Sequence, residues 1–308
     1  MSFHMSDTAI ASTISFPKWA SVYTWYMKNM PSHGKRWVLN ALHSIGLRSG
    51  KPFACRMRNG TVIAISPKES ATPWTVGGYC FLERVFEPNT ENCIRRLLRP
   101  GHTAIDIGAN IGYVSAVMAQ SVGPTGRVWS FEPVPSTFQL LRLCPSLNGF
   151  SQMTPRALAL GASQGSVQIH FDPTVAGWAS MYSDPGTDNW ECATVDIVTL
   201  DALVKAGEVT LPNLIKVDVE GHERDVLLGA RNTISRAKPD ILFEFNVRSA
   251  KLAGWGLDEV ASLLRQEGDY HFHVVLNDGS CQAIDTKSFE VVNKPHVDIL
   301  ATIQGQIA

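Results

Sequence analysis

The stretch His102-Thr103-Ala104-Ile105-Asp106-Ile107-Gly108-Ala109-Asn110-Ile111-Gly112 decides how this chain is read. Thr103–Ile107 is a short apolar run broken only by Asp106, which predicts a buried strand, and it ends in a glycine-rich turn. An amphipathic helix is expected over residues 112–122, and a second strand over Arg127–Phe131. Downstream the alternation continues. A helix is expected over 135–147, strands over 158–160 and 167–171, and a strand over 214–219 that runs into a helix at 222–236. A strand at 241–245, a helix at 257–266 and a strand at 270–276 follow. Strands alternating with helices predict an α/β fold, a doubly wound sheet with helices on both faces.

Upstream the pattern differs. Trp19, Val22, Tyr23, Tyr26 and Met30 recur at helical spacing, and Ser32 is placed to cap a second helix bearing Trp37, Val38, Leu42 and Ile45. Alternating residues around Asn59-Gly60 predict a β-hairpin. Residues 83–87 and 89–98 read as helical. Residues 1–75 are therefore expected to form an N-terminal helical and β-hairpin extension, suited to packing, substrate or dimer contacts, ahead of a main domain at 76–308.

The chain has 308 residues, 44% hydrophobic and 18% charged, a globular composition that excludes collagen-like and disordered classes. No run approaches the ~20 apolar residues of a membrane span. The start MSFHMSDTAIAS lacks a basic segment followed by an apolar one, so the expected compartment is the cytoplasm. Six cysteines carry no C-x-x-C pair and read as reduced thiols. Residues 1–60 hold eight Lys/Arg and one acid, against a formal net charge of −1 for the whole chain. Such a basic front end suits an anionic substrate or peripheral membrane contact, while the lack of an overall basic charge argues against nucleic acid.

Ligands in such a sheet sit beyond the carboxyl ends of the strands. At the first such end a dinucleotide fingerprint would need glycine at 108, 110 and 113, but Asn110 and Tyr113 stand there. Asp106 places a carboxylate beside the turn, which suits an amine better than a phosphate. The second strand ends in Phe131-Glu132-Pro133, and a carboxylate there can accept from both ribose hydroxyls. Each acid alone also reads as a helix cap or a surface charge. Together they describe a site for a nucleoside with an ammonium-bearing tail, the form of S-adenosylmethionine. A third cluster, Lys216-Val217-Asp218-Val219-Glu220-Gly221-His222-Glu223, crowds ionisable groups at a strand end, more than capping requires.

These motifs, with Thr199-Leu200-Asp201 and Val226-Leu227-Leu228-Gly229, resemble the FkbM-type methyltransferases, a branch of the S-adenosylmethionine-dependent class, over about residues 76–270. The resemblance implies a Rossmann-like class I methyltransferase domain. It implies that Asp106, Gly108 and Asn110 line the methionine part of the cofactor, that Gly112 also belongs to the cofactor site, and that Glu132 holds the ribose. Ala157 and Leu158 would then flank the adenine, and Asp218 would reach the cofactor amine. Glu220, His222 and Glu223 are left near the acceptor, with His222 or Glu220 expected to take its proton, Glu244 next in line, and no metal. Between 171 and 193 a long aromatic loop offers Trp178 and Tyr182 for substrate stacking. The expected reaction is O-methylation of a hydroxyl on a sugar, glycan or other small acceptor, with S-adenosylhomocysteine as product. N-methylation is the close alternative. A nicotinamide-dependent oxidoreductase and a non-catalytic nucleoside-binding module are the alternatives of other classes, and a homo-oligomer is compatible with either.

Overall fold

A computed structural model of the protein describes residues 52–66, 76–171, 179–180, 191–291 and 296–303, together with Asp7, Ala11 and Ile14. The helices expected within 16–48 lie outside these residues, as do Trp178 and Tyr182. The hairpin is present as β1 (Phe53–Arg56) and β2 (Val62–Ile65) in antiparallel register. Its turn is closed by Asn59 Oδ1, which accepts from Thr61 N at 3.0 Å and Thr61 Oγ1 at 2.7 Å. Gly60 adopts φ 88°, a left-handed conformation that glycine enters without strain. Phe53, Cys55, Ile63 and Ile65 are buried in the same core as the helices that follow.

Two helices, α1 (Val76–Glu83) and α2 (Pro88–Leu97), come next. The helical turn expected at 83–87 does not form, because Arg84 and Glu87 take positive φ and redirect the chain between them. Pro88 then opens α2, where its missing N–H costs nothing. Strand β3 (Thr103–Ile107), helix α3 (Tyr113–Val122) and strand β4 (Arg127–Phe131) follow the sequence expectation. The single helix expected at 135–147 is two, α4 (Pro135–Leu141) and α5 (Cys144–Asn148), with Pro145 tolerated only in the first turn of the second.

The sequence reading missed β5 (Met153–Arg156), whose Pro155 is compatible with its place at the sheet edge. The strands expected at 158–160 and 167–171 exist as β6 (Ala159–Leu160) and β7 (Gly165–Phe171), but not in the main sheet. With β8 (Ala179–Ser180) and β9 (Glu191–Val198) they form a separate four-stranded sheet, ordered β6-β9-β7-β8. Part of the expected 171–193 loop is therefore strand. The chain continues through α6 (Leu200–Lys205), β10 (Leu214–Val217), α7 (Glu223–Leu228), α8 (Arg231–Ala237), β11 (Asp240–Asn246), α9 (Val247–Ala253), α10 (Leu257–Glu267), β12 (His271–Val275), β13 (Cys281–Ala283) and β14 (His296–Thr302).

The main sheet has the order β13-β12-β14-β11-β10-β3-β4-β5. Strands β11, β10, β3, β4 and β5 are parallel, and β14 inserts antiparallel between β11 and β12. Apolar residues cover both faces. Ala104, Leu214, Leu242 and Leu300 pack with α2, α3 and the hairpin. Ile105, Ile215, Ile241 and Ile299 pack under α6 to α10. This is the doubly wound, Rossmann-like sheet expected of a class I methyltransferase, and the connections diverge from β3 and β10, a switch point where ligands bind.

The Thr199-Leu200-Asp201 motif has a structural explanation. Thr199 caps α6 through Oγ1, which accepts from Ala202 N at 3.1 Å. Asp201 caps α8 from a distance, accepting from Asn232 N at 2.9 Å, Thr233 N at 2.7 Å and Thr233 Oγ1 at 2.7 Å. Gly229 separates α7 from α8 and admits no side chain, since a Cβ there would lie 1.9 Å from Gly161 O. Asp201→Ala should therefore lower stability by ~1–3 kcal/mol, through the lost cap and the amides left unsatisfied. Urea unfolding is the measurement, and a change within experimental error would contradict this role.

Candidate active site

Alternation along β3, β10, β11 and β14 builds the site. Side chains two apart share a face. Asp106, Lys216, Leu242 and Leu300 are register partners, so this row on the α2/α3 face is half charged. One step further toward the carboxyl ends, the same register aligns Gly108, Asp218, Glu244 and Asp298. Toward the carboxyl ends of the strands this face becomes a row of carboxylates.

The turn after β3 is held from both sides. Gly108 N and Ala109 N donate to Phe131 O at 3.0 and 2.9 Å, and Asp218 N donates to Ile107 O at 2.9 Å. Gly108 has φ 82°, and a Cβ there would lie 1.8 Å from Asp218 O, so only glycine fits. Asn110 takes φ 50°, and its Oδ1 accepts from Ile111 N at 2.7 Å. At Gly112 a Cβ would meet Leu141 Cδ1 at 2.8 Å. Asp106 is fully buried, with Oδ2 accepting from Ser115 Oγ at 2.5 Å. Its Oδ1 is buried without a hydrogen-bond partner among the described residues. Burial raises its carboxyl above the usual range, against the pull of Lys216.

Glu132 uses both oxygens on the backbone. Oε2 accepts from Asn110 N at 2.9 Å and Oε1 from Val134 N at 2.8 Å. Each oxygen retains a lone pair for a hydroxyl. Burial pushes the group up to about 7 despite these bonds. Glu132 N donates to Arg156 O at 3.1 Å, which sets exposed Ala157 and half-buried Leu158 directly beyond the neighbouring strand end.

After β10 the chain turns sharply. Lys216 is buried, and its Nζ donates to Asp218 Oδ2 at 2.7 Å. Burial opposes its charge, but Asp218, Glu87 and Asp106 outweigh that and hold the ammonium above the lysine range. Glu220 sits at φ 49° and Gly221 at φ 104°. Glu223 Oε1 accepts from Val219 N at 3.1 Å and Gly221 N at 3.2 Å. Glu223, expected from the sequence near the acceptor, thus clamps this loop through the backbone. Trp255 Nε1 donates to Gly221 O at 2.7 Å and fastens the loop from α9's far side. His222 occupies the N-cap position of α7 without a side-chain cap bond, its Nδ1 lies 3.5 Å from Asp225 Oδ2, and burial lowers its pKa. Glu220 is half-buried beside Ser249, and burial, then Asp218 and Glu223, push it up to about 8.

Sequence reasoning missed several members of this site. Asp298, Glu87, Ser249 and Trp255 come from elements that no motif marks. Glu244 did leave a signal, a lone acid inside the apolar strand 241–245. Glu87, Glu220 and Glu244 are raised to about 8, 8 and 10, with burial the largest cause in each. The folded state therefore keeps protons that the unfolded chain releases above a pKa of about 4.5. The linked stability is full below that value and is lost as pH climbs through the folded values. The urea midpoint of the ligand-free protein should fall between pH ~6 and ~9 and change less in Glu220→Gln and Glu244→Gln. A midpoint that rises over this range would contradict the assignment.

Several known proteins are similar to this chain. The family model described as the Methyltransferase FkbM domain matches residues 106–272. Hexuronic acid methyltransferase AglP of Haloferax volcanii is 33% identical over 129 residues, 42% of this chain and 50% of that protein. Methyltransferase 1 of Beauveria bassiana is 29% identical over 142 residues, 41% of this chain and 57% of that protein. The chain thus spans about half the length of the curated relatives it matches. The crystal structure of Methyltransferase FkbM from Methylobacillus flagellatus KT aligns with a TM-score of 0.43 at 19% identity, over 87% of this chain and 60% of that one. The motif-bearing segment matched by the family model makes up more than half of the sequence, and the chain belongs to the FkbM methyltransferase family.

Proposed function

We propose that the protein is an S-adenosylmethionine-dependent methyltransferase that methylates a hydroxyl of a sugar or a related small acceptor. The observation that carries this reading is the buried, unpartnered Asp106 Oδ1 beside a turn where Gly108 leaves no room for a side chain. A buried oxygen without a partner is costly, and an ammonium group on a bound ligand would satisfy it. Glu132, one strand away, has lone pairs free for ribose hydroxyls. The residues present fit a nucleoside with a cationic tail, and Tyr113 at the third fingerprint position disfavours a pyrophosphate.

The bound cofactor supplies a methyl group on an already activated sulfur. The chain's task is alignment, exclusion of water and removal of the acceptor's proton. Asp106 and Glu132 anchor the two ends of the cofactor. The Lys216–Asp218 pair fixes the floor between cofactor and acceptor. Glu220, lifted to about 8 on a loop clamped by Glu223 and Trp255, takes the acceptor's proton at its carboxylate. A group that titrates near the working pH combines a useful deprotonated fraction with adequate basicity. The sugar acceptor draws support from the hexuronic acid methyltransferase among the relatives.

Incubation with methyl-labelled S-adenosylmethionine and a panel of sugars, amino sugars and uronic acids tests this reading. The expected outcome is label on a hydroxyl oxygen, with kcat lowered ~10²–10⁴-fold in Glu220→Gln. Label on nitrogen would replace the hydroxyl by an amine. Tight NAD binding with no S-adenosylhomocysteine binding would overturn the methyltransferase reading.

A further inference from the structure

Strand register gathers carboxylates that lie far apart in the sequence. Glu244 of β11 stands directly opposite Asp298 of β14, and Asp218 is level with it on the other side. Neighbours so placed have Cβ atoms about 5 Å apart on one face. Two of the three are committed. Asp298 Oδ2 accepts from Asn89 Nδ2 at 2.9 Å and Thr90 Oγ1 at 2.6 Å, both on α2. Asp218 is bound to Lys216. Glu244 has no side-chain hydrogen bond among the described residues, and its ion contact is exposed His296, Nε2 at 3.8 Å. Glu220, from the loop after β10, and Glu87, from the turn before α2, also bear on it. Lys216 cannot neutralise this group, being already shared among Asp218, Glu87 and Asp106. Asp106 Oδ1, one row below on the same face and also without a partner among the described residues, is the atom assigned above to the ligand's ammonium tail, which leaves Glu244 as the group without a buried counter-ion.

We propose that Glu244 makes this carboxylate edge of the sheet select a positively charged sulfonium nucleoside over the neutral thioether that remains after methyl transfer. The inference rests on the methyl-donor reading above. In the absence of ligand, burial and then Asp218, Glu220, Asp298 and Glu87 push Glu244 up to about 10, so it holds its proton near neutral pH. A cation bound at this edge favours the carboxylate, and the proton goes to solvent. When the sulfur loses its methyl it loses its charge, Glu244 takes a proton back from solvent, and the attraction that held the ligand is gone. Glu244 is thus a specificity-determining residue that also favours product release.

Titration calorimetry of the full chain with S-adenosylmethionine, S-adenosylhomocysteine and sinefungin, whose amine stands where the sulfonium does, tests this. In buffers of different ionisation enthalpy, the two cationic ligands should release protons and bind ~10-fold tighter than the thioether. Glu244→Gln should bring the three affinities to within ~2-fold and abolish proton release, while S-adenosylhomocysteine binds as before. Glu244→Asp, which keeps the charge, should retain the preference and controls for folding. Equal affinities in the unmodified protein, or a preference that survives in Glu244→Gln, would overturn the proposal. Binding of none of the three is a different result: it would defeat the methyl-donor reading itself, and this inference with it.

Discussion

One buried ammonium allows the carboxyl edge of this sheet to be built from acids. Lys216 lies in the four-residue strand β10, between β3 and β11, with its side chain on the α2/α3 face. Removing a lysine from water costs several kcal/mol unless partners are close and well oriented. Asp218 supplies such a partner at 2.7 Å, and Glu87 and Asp106 add to the attraction. The dependence runs both ways. Without Lys216, Asp106 and Asp218, diagonal neighbours on adjacent strands, would have no counter-charge between them.

A second device recurs on both sides of that centre: a buried carboxylate that accepts backbone N–H groups and so fixes a loop. Glu132 joins the turn after β3 to the end of β4 through Asn110 N and Val134 N. Glu223 does the same after β10 through Val219 N and Gly221 N. Charge-assisted bonds of this kind are among the stronger ones, and they hold Asn110 and Glu220 in left-handed conformations that such residues seldom adopt alone. Some acids of the motifs therefore serve architecture. Their bonds hold the turns that carry Asp106, Asp218 and Glu220.

The sequence motifs conveyed much of this. The turn Asp106-Ile107-Gly108-Ala109-Asn110 was legible because its glycine and its acid each answer a local need, a left-handed turn and a charge at a strand end. Asn59-Gly60 marked the hairpin for the same reason. The roles of Asp201 and Gly229 were not legible, although both stand in recognisable motifs. Asp201 caps a helix thirty residues on, and Gly229 is required by the carbonyl of Gly161.

What the sequence by itself determined is periodicity: which residues of a strand share a face, where a glycine or proline must turn the chain, and which strand ends carry charge. What only the tertiary structure decided is partnership. Nothing local assigns β6 and β7 to a separate sheet rather than the main one, and nothing local slides β14 between β11 and β12. That insertion sets Asp298 opposite Glu244, and the start of α2 bonds to Asp298. The physical reason is that a strand's side chains alternate by its own backbone geometry, whereas its neighbours are chosen by hydrogen bonds and packing summed over the whole chain.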